Sequence, residues 1–261
     1  MSERRRKPAL RRVVFGVGVL LLCAAVVLLR LAFATDYAYH ALVKDPERTI
    51  PSGRVIVAPA DGTVLYVQRV VDGTAAEVVK RGVAVPLEDH FKTEPGQKLG
   101  SGWLIGIYMN TQGVHVNRIP NHGKILEQRI YNGPHMNMSK AEVDVITKQL
   151  IPGRVSLAKA LGRSPWAIED DADFVLKSAR ETLVIEDERG AKLYVVRIAD
   201  FYVGKILTWV AEGASVERGA RMGMITWGSQ TDLFIEESSG LEITANTGEY
   251  VYGGQTVVAT Y

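Results

Sequence analysis

The sequence predicts a mainly β domain of the α+β class, a small antiparallel barrel or sandwich with one helical insertion, preceded by an N-terminal transmembrane segment. Three observations lead to this prediction. An apolar run follows a basic N-terminus, short apolar segments separated by Gly turns fill most of the remaining chain, and one helix-like stretch interrupts them. With 261 residues, of which 47% are apolar, the chain can bury the core of one domain of moderate size.

The N-terminal segment has the composition of a membrane anchor. Residues 13–29 are uncharged and apolar, and after Arg30 the run resumes as far as Ala34. That length is about enough to cross a hydrocarbon layer of ~30 Å. We therefore assign residues 1–12 to a basic tail and residues 13–34 to the anchor. A cleaved signal peptide is the alternative, which the length of the run and the poor cleavage site near Ala34 disfavour.

The side of the membrane on which the body lies stays open. Basic residues before the run favour a cytoplasmic N-terminus, so a single span would place the body outside the cytoplasm. A re-entrant hairpin at Gly16 and Gly18 would return it. Cys23 lies inside the run and is the chain's only cysteine, so no internal disulfide can form and the redox compartment is undetermined. We expect the protein at a cell membrane.

After a polar connector, the sequence changes to short apolar segments separated by Gly turns. Residues 35–53 form a polar, Pro-bounded linker, and residues 54–261 form the domain. The β-like segments of the domain are residues 55–58, 63–67, 103–109, 124–131, 182–185, 193–198, 206–210, 222–226, 232–235, 241–245 and 255–261. Residues 139–179 are helix-like, because Ser139 and Glu142 form a capping box ahead of apolar residues.

Charge and histidine spacing exclude two classes of partner. The net charge is +2, and its basic excess lies at the N-terminus, so the body carries no electrostatic footprint for nucleic acid. Four of the five histidines, all except His115, lack metal-ligand spacing. We predict surface or turn roles for these four and no metal site. These are His40, His90, His122 and His135.

Three short motifs are candidates for chemistry. They are residues 58–64 with Asp61, residues 113–120 with His115, and residues 223–229 with Ser229. Each has an ordinary explanation on its own. Asp-Gly is a common hairpin turn, a histidine between valines is usually a partly buried side chain, and Gly-Ser after an apolar run usually ends a strand.

Together, the motifs resemble the phosphatidylserine decarboxylase family, in its shorter bacterial and archaeal form. The resemblance runs from Asp45 to Tyr261. Its parts are Asp-Pro-Glu-Arg-Thr-Ile-Pro at 45–51, Pro-Ala-Asp-Gly at 59–62, Val-His-Val-Asn-Arg-x-Pro at 114–120, Gly-Met-Ile-x-x-Gly-Ser at 223–229 and Gly-Gly-Gln-Thr-Val at 253–257. Their order, behind an N-terminal anchor, is more specific than any one of them.

The resemblance implies a proenzyme that cleaves itself at Gly228–Ser229. The serine would become an N-terminal pyruvoyl group, and a 228-residue chain would stay bound to a 33-residue chain as a heterodimer. His115 would act as the base that activates the Ser229 hydroxyl, and Asp61 would hold its imidazole. The hydroxyl attacks the Gly228 carbonyl, and elimination from the ester leaves dehydroalanine, which hydrolyses to pyruvoyl and ammonia.

The implied mature reaction uses that carbonyl to decarboxylate phosphatidylserine in the bilayer to phosphatidylethanolamine. The substrate amine forms a Schiff base, the pyruvoyl group accepts electrons as carbon dioxide leaves, and His115 returns the proton. No metal or added cofactor is needed. An anchor would keep the domain beside its lipid substrate. Arg118 could bind the lipid phosphate or could pair with a carboxylate.

Departures from the family pattern leave the head group open. Residues 198–206 replace a Gly and consecutive Arg residues that relatives usually carry. Trp227 and Gln230 replace Phe and Arg around Gly-Ser, and Gly113 stands where Asp is common. A related decarboxylase with another amino-acid head group is therefore an alternative.

Two further classes of protein compete with this interpretation. A membrane-tethered zinc endopeptidase shares an Asp-Gly hairpin but needs HxxxD and HxH ligand pairs, which the five histidines do not form. A β-barrel binding or adaptor module without catalysis suits the Gly-punctuated hairpins, but it gives no reason for the Gly228–Ser229 pair.

Overall fold

A computed structural model describes residues 6–34, 43–79, 83–94, 97–110, 113–134, 177–199, 206–226 and 229–261. The chain forms two compact units, Met1–Val43 and Lys44–Tyr261. Helix α1, Arg6–Ala34, confirms the predicted N-terminal apolar helix. Between Arg12 and Arg30, its length and composition suffice to cross a membrane.

The second unit is built mainly from short strands. A single-turn helix, α2 (Leu87–Phe91), follows the fourth strand. The strands are β1 Val55–Val57, β2 Gly62–Val71, β3 Thr74–Val79, β4 Val83–Pro86, β5 Gly102–Met109, β6 Val116–Arg118, β7 Gly123–Tyr131, β8 Arg180–Asp187, β9 Lys192–Ala199, β10 Ile206–Thr208, β11 Ser215–Val216, β12 Arg221–Ile225, β13 Ser229–Glu236, β14 Glu242–Ile243, β15 Tyr250–Val251 and β16 Val257–Thr260.

The strands form three antiparallel sheets, which confirms the mainly β class. The largest sheet has ten strands in the order β11-β7-β8-β9-β13-β5-β2-β3-β4, with β15 also paired to β2. The two smaller sheets have the orders β1-β16-β14 and β10-β12-β6. Within the ranges given above, β11 and β4 are the two edges of an open sheet. The predicted barrel is therefore not closed there.

The large sheet has an apolar core on each face. Ile107, Val195 and Leu233 point to one side, where they pack with residues of both small sheets such as Ile56 and Met222. Leu104, Tyr194 and Phe234 point to the other, where they pack with Phe91 of α2. This arrangement follows from strand geometry, because neighbouring residues point to opposite faces and a strand covered on both sides is apolar throughout.

The predicted helical insertion at 139–179 falls almost wholly outside the described residues. Its flanking strands are described: β7 and β8 pair from Gly123 opposite Asp187 to Tyr131 opposite Arg180. Beyond that ladder, the Ala179 N–H donates to the Pro134 carbonyl at 3.0 Å. The chain therefore leaves and re-enters the sheet at one place.

A buried ion pair connects β8 and β9 to the small sheet of β10 and β12. Arg197 and Glu181 are both buried and form a salt bridge. The Arg197 Nη1 also donates to the Leu207 carbonyl at 2.9 Å, and Gln128 donates to Glu181 at 2.7 Å. Gly223 leaves room for this arrangement, because a Cβ there would overlap the Arg197 guanidinium and the Leu207 carbonyl.

We predict that Glu181→Leu destabilises the domain strongly. It leaves the Arg197 guanidinium buried without its carboxylate, which typically costs about 3–5 kcal/mol. Adding Arg197→Met should recover most of that loss, since an apolar pair of similar volume needs no charge compensation. The free energy of unfolding from urea titration, followed by tryptophan fluorescence, measures both effects.

The matched control is the exposed pair of Arg69 and Glu237, whose side chains are 38% and 54% accessible. Glu237→Gln should change the unfolding free energy by less than about 1 kcal/mol, because solvent screens exposed pairs. Equal losses of unfolding free energy for Glu181→Leu and Glu237→Gln would show that burial does not determine how much the pair of Arg197 and Glu181 contributes to stability.

Candidate active site

The motif segments of the sequence meet in one hydrogen-bonded cluster. The Arg118 N–H donates to the Pro59 carbonyl at 2.8 Å, and the Val57 N–H donates to the Pro120 carbonyl at 2.9 Å. On the other side, the Gly254 N–H donates to the Ala58 carbonyl at 2.8 Å. The segment before Asp61 therefore lies between the His115 motif and the Gly-Gly-Gln-Thr-Val segment.

Four strand ends meet at one end of the large sheet. β2 begins at Gly62 next to Asp61, and its Thr63 pairs with Tyr108 near the end of β5. β13 begins at Ser229, which pairs with Met109 of β5 and with Ala199 of β9. The antiparallel register thus brings residues 61, 109 and 229 to the same end of the sheet, although more than a hundred positions separate residues 109 and 229.

Gly62 is required by this close pairing. A Cβ at position 62 would overlap the carbonyl group of Tyr108 and the side chain of Ile107. Only glycine lets the two backbones approach in this way. The Asp-Gly sequence of the motif therefore serves the packing between β2 and β5 as well as the turn.

His115 joins the same region through the small sheet. It precedes β6, and its carbonyl accepts a hydrogen bond from the Ile225 N–H at 3.2 Å. Ile225 ends β12, four positions before Ser229. His115 is thus bonded to the strand that ends four positions before Ser229 in the sequence.

The His115 imidazole is buried and has a defined tautomer. Its Nδ1 lies 3.1 Å from the Gly113 carbonyl oxygen, and its Nε2 has no hydrogen-bond partner among the described residues. Because a carbonyl only accepts, Nδ1 carries the proton and Nε2 holds the lone pair of the neutral ring. Burial lowers the pKa of His115 below its ordinary value of 6.5, and the bond to Gly113 offsets only part of the shift.

Asp61 is also buried, with its carboxylate fully engaged. The Arg48 Nη2 lies 2.9 Å from Oδ1 and 2.8 Å from Oδ2, and the Gly253 N–H donates to Oδ1 at 2.8 Å. Burial raises the pKa of Asp61 above its ordinary value of 3.8, while the hydrogen bonds from Arg48 and Gly253 act in the opposite direction.

The structure corrects the expected partnership between Asp61 and His115. Both side chains are described, and no hydrogen bond joins them: the Gly113 carbonyl orients the imidazole, and Arg48 with Gly253 binds the carboxylate. The physical reason is competition. A guanidinium and a backbone N–H bind a buried carboxylate strongly, and the short loop at 113–115 supplies a nearer acceptor for the ring.

The predicted cleavage position lies where β13 begins. Ser229 is the first residue of that strand, whereas Gly228 lies outside the described residues. Two positions along, the Thr231 hydroxyl lies 3.3 Å from the Asn117 side-chain nitrogen and 3.3 Å from the Met109 sulfur. This buried cluster connects β6, which follows His115, directly to β13.

Arg118 is engaged by the protein itself. Its guanidinium pairs with Asp45 and donates to the Gly219 carbonyl at 3.1 Å, and the residue is 9% exposed. Of the two expectations for Arg118, the geometry corresponds to pairing with a carboxylate. Arg221 also binds Asp45, so that one acidic residue receives two guanidinium groups.

The segment 45–51 was assigned to a linker, yet it contacts the site. The compact unit begins at Lys44, and Asp45 and Arg48 pair with residues of the motifs. Sequence reasoning missed Arg48 as a site residue. The available signal was charge, because a plain linker has no need for Asp and Arg residues three positions apart.

A second buried polar cluster lies on the opposite face of β13. His90 and Asp232 are fully buried, with Nε2 and Oδ2 2.6 Å apart. Asp232 also accepts from the Tyr66 hydroxyl at 2.7 Å and from Gln230 at 2.8 Å. The predicted surface or turn role of His90 was therefore wrong. His122 faces Glu188 at 3.3 Å and is half-buried, whereas His40 and His135 lie outside the described residues.

Comparison with known proteins agrees with this arrangement of motifs. The family model described as phosphatidylserine decarboxylase matches residues 39–259. A protein of Methanothermobacter thermautotrophicus with the provisional name archaetidylserine decarboxylase proenzyme is 31% identical over 220 residues, covering 84% of this chain and 78% of the relative.

Two bacterial relatives are named phosphatidylserine decarboxylase proenzyme. The protein of Nitratidesulfovibrio vulgaris is 30% identical over 219 residues, covering 83% of this chain and 74% of its own length. The protein of Oleidesulfovibrio alaskensis is 29% identical over 254 residues, covering 96% and 88%. The match extends over nearly all of the β domain, and it confirms the resemblance drawn from the motifs: the chain belongs to the phosphatidylserine decarboxylase family.

Proposed function

We propose that this chain is a proenzyme that cleaves itself between Gly228 and Ser229 and then decarboxylates phosphatidylserine to phosphatidylethanolamine. The observation that carries the proposal is the state of His115. It is buried and oriented by the Gly113 carbonyl, its Nε2 has no hydrogen-bond partner among the described residues, and its carbonyl is bonded to Ile225, four positions before Ser229.

His115 suits the role of general base. A base must hold its lone pair at working pH, and the lowered pKa keeps the imidazole neutral at pH 7. Nδ1 keeps its proton and donates a hydrogen bond to the Gly113 carbonyl, so Nε2 is the nitrogen that can accept the hydroxyl proton. Asn117, two positions after His115, contacts Thr231, two positions after Ser229.

Self-cleavage then follows in balanced steps. Ser229 Oγ bonds to the Gly228 carbonyl carbon while His115 takes the hydroxyl proton, and the Gly228–Ser229 amide bond breaks to give an ester and a free amine. Loss of the Ser229 α-proton expels the Gly228 carboxylate and leaves dehydroalanine. Water then replaces the nitrogen of its imine form, which releases ammonia and leaves a pyruvoyl group.

Asp61 contributes through charge in this proposal. A carboxylate fixed at the same end of the sheet favours the imidazolium that His115 forms as it takes the proton. Because Arg48 and Gly253 hold both oxygens, Asp61 acts without a direct bond to the ring in the uncut chain.

A pyruvoyl group at position 229 fits the strand that would carry it. The backbone of Ser229 pairs with Met109 on one side and with Ala199 on the other, so a new N-terminal group there stays anchored by two neighbouring strands. Such a group supplies a carbonyl that captures the substrate amine and withdraws electrons as carbon dioxide leaves. His115 would return the proton to the substrate carbon.

The 33-residue chain should remain bound after cleavage without a covalent link. β13 pairs along both edges, and its Leu233, Phe234 and Ile235 are fully buried. β15 pairs with β2, and β16 pairs with β1. Burial of three large apolar side chains alone contributes several kcal/mol, at about 1.5–3 kcal/mol each.

The lipid substrate rests on the family and on the N-terminal helix. The names of the relatives all specify a lipid with a serine head group, either phosphatidylserine or archaetidylserine. Helix α1 is compatible with attachment to a membrane, which would hold the domain beside a substrate that rarely leaves the bilayer. We propose a cell-membrane location with the heterodimer of the two chains as the active form.

We predict that Ser229→Ala abolishes splitting and that His115→Ala slows it by about 100- to 10,000-fold, the usual contribution of a general base. Freshly made protein would be examined on a denaturing gel and by intact mass, where the wild type gives chains of 228 and 33 residues. His122→Ala is the control, because this histidine faces Glu188 and should leave splitting unchanged. Wild-type protein that stays intact would refute the proposal.

The rate of splitting should depend on pH in a way set by buried His115. Only the neutral ring can act as base, and its pKa lies below 6.5, so the rate should hold constant from pH 8 to pH 7 and fall with a midpoint below 6.5. Pulse-labelled precursor followed between pH 5 and pH 8 measures this. A midpoint above pH 7 would point to a base other than a buried, neutral histidine.

Mature protein should release carbon dioxide from phosphatidylserine vesicles. Vesicles of phosphatidylglycerol, which has no amine, serve as the negative control, because the carbonyl needs an amine to react. Treatment with hydroxylamine, which captures ketones, should reduce carbon dioxide release in proportion to the fraction of the 33-residue chain that is modified. Release from phosphatidylglycerol, or full activity after complete capture, would contradict the pyruvoyl mechanism.

A further inference from the structure

The segment 45–51, called the entry segment here, is attached to the site at three places. Asp45 pairs with Arg118 and Arg221, and Arg48 pairs with Asp61. At its end, the Pro51 carbonyl accepts a hydrogen bond from Arg218 at 2.8 Å. Of these attachments, that of Arg48 contacts Asp61, one of the three proposed catalytic residues, by its side chain.

The pair of Arg48 and Asp61 is almost dry. Its side chains are 6% and 4% accessible, and one Arg48 nitrogen contacts both carboxylate oxygens within 2.9 Å. The Arg48 guanidinium also lies 5.8 Å from the centre of the Tyr252 ring. Solvent screens such a pair weakly, so the charge of Arg48 acts on Asp61 with much more effect than a surface arginine would.

The other groups that face Asp61 are few in the described part of the chain. Arg118 acts on it from β6 at longer range, but its guanidinium is paired with Asp45. Burial raises the pKa of the Tyr250 hydroxyl of β15, and the nearby charge of Asp61 adds to that rise. The Gly253 N–H donates a neutral hydrogen bond. Arg48 is thus the cation in direct contact with the carboxylate.

Burial alone would favour the protonated form of Asp61. An uncompensated carboxylate in a dry site takes up a proton near neutral pH, and it then loses both its charge and its affinity for an N–H donor. Hydrogen bonding by Arg48 is the largest effect that opposes this. Without it, Asp61 could no longer favour a positive charge on His115.

We propose that Arg48 is a positioning residue for self-cleavage: it keeps Asp61 ionised and fixed, so the site is complete only when the entry segment is seated on it. This inference rests on the proposed function, because it assigns Arg48 a role in the same reaction. It also explains why a segment with the composition of a linker carries Asp45 and Arg48, whose side chains pair with motif residues.

The test compares Arg48→Met, Arg48→Lys and a matched control, Arg218→Met. Arg218 holds the same segment through the carbonyls of Pro51 and Gly53 and does not contact Asp61. Full-length precursor made in a cell-free system with lipid nanodiscs would be followed on a denaturing gel from pH 6 to pH 9. The readout is the rate of splitting relative to wild type at each pH.

For Arg48→Met we expect splitting to be at least about tenfold slower than wild type at pH 6, with the deficit shrinking as pH rises, since each pH unit increases the ionised fraction of a protonated carboxyl about tenfold. Arg48→Lys should restore most of the rate at pH 6, because it returns the charge. Arg218→Met should change the rate by the same factor at every pH.

Recovery at high pH within one variant also separates the proposed role from misfolding, which raising the pH would not repair. Wild-type rates for Arg48→Met at all pH values would overturn the proposal, as would a deficit that is independent of pH and unrelieved by lysine. Intact wild-type protein would instead refute the proposed function, and this inference with it.

Discussion

The pairing of β13 along both of its edges fixes the geometry of the whole domain. Seven or eight consecutive residues of this strand are in register with β5 on one side and with β9 on the other. Both faces are covered, by the two small sheets and by α2. A register shift therefore has a high free-energy cost, because moving the strand by one residue would turn every buried side chain to the wrong face. The first residue of this strand is Ser229, which pairs with Met109 of β5 and with Ala199 of β9.

The electrostatics of the site follow from burying two titratable groups in the same region. Burial favours the neutral form of each, which lowers the pKa of the histidine and raises that of the aspartate. For His115 that shift is useful, because a neutral ring can take a proton. For Asp61 it would work against the proposed role of its charge, and the hydrogen bonds from Arg48 and the Gly253 N–H oppose it. The two groups are thus prepared by separate partners.

The opposite face of β13 shows how far polar groups extend into this fold. Asp232, His90, Tyr66 and Gln230 form one connected network in this layer, and buried Arg180 joins it by donating to the His90 carbonyl at 2.8 Å. Buried networks of this kind favour one packing arrangement, because any other leaves charged or polar groups without partners. Thr231 belongs to the other face, so the strand separates this network from the cluster of Thr231 with Asn117 and Met109.

Much of the fold was present in the local pattern of the chain. The apolar run at 13–34 gave the N-terminal helix, and the alternation of apolar segments with Gly turns gave eleven of the sixteen described strands and their antiparallel pairing, but not their order in the sheets. The motifs at 59–62, 114–120 and 223–229 were sufficient to indicate the family, because residue types at fixed spacing are a local property. Asp61, His115 and Ser229 could be selected in this way, although their roles remain proposals.

Contacts between distant segments could only be decided by the tertiary structure. Nothing local shows that the Asp61 carboxylate binds Arg48 rather than His115, that Gly113 orients the imidazole, or that His90 is buried against Asp232. The open edges of the large sheet likewise depend on which strands meet. By itself, then, the sequence determined the elements and the chemical groups, since both are encoded over a few neighbouring residues. Partners and charge states were decided by packing, because residues up to 192 positions apart compete for the same buried contacts.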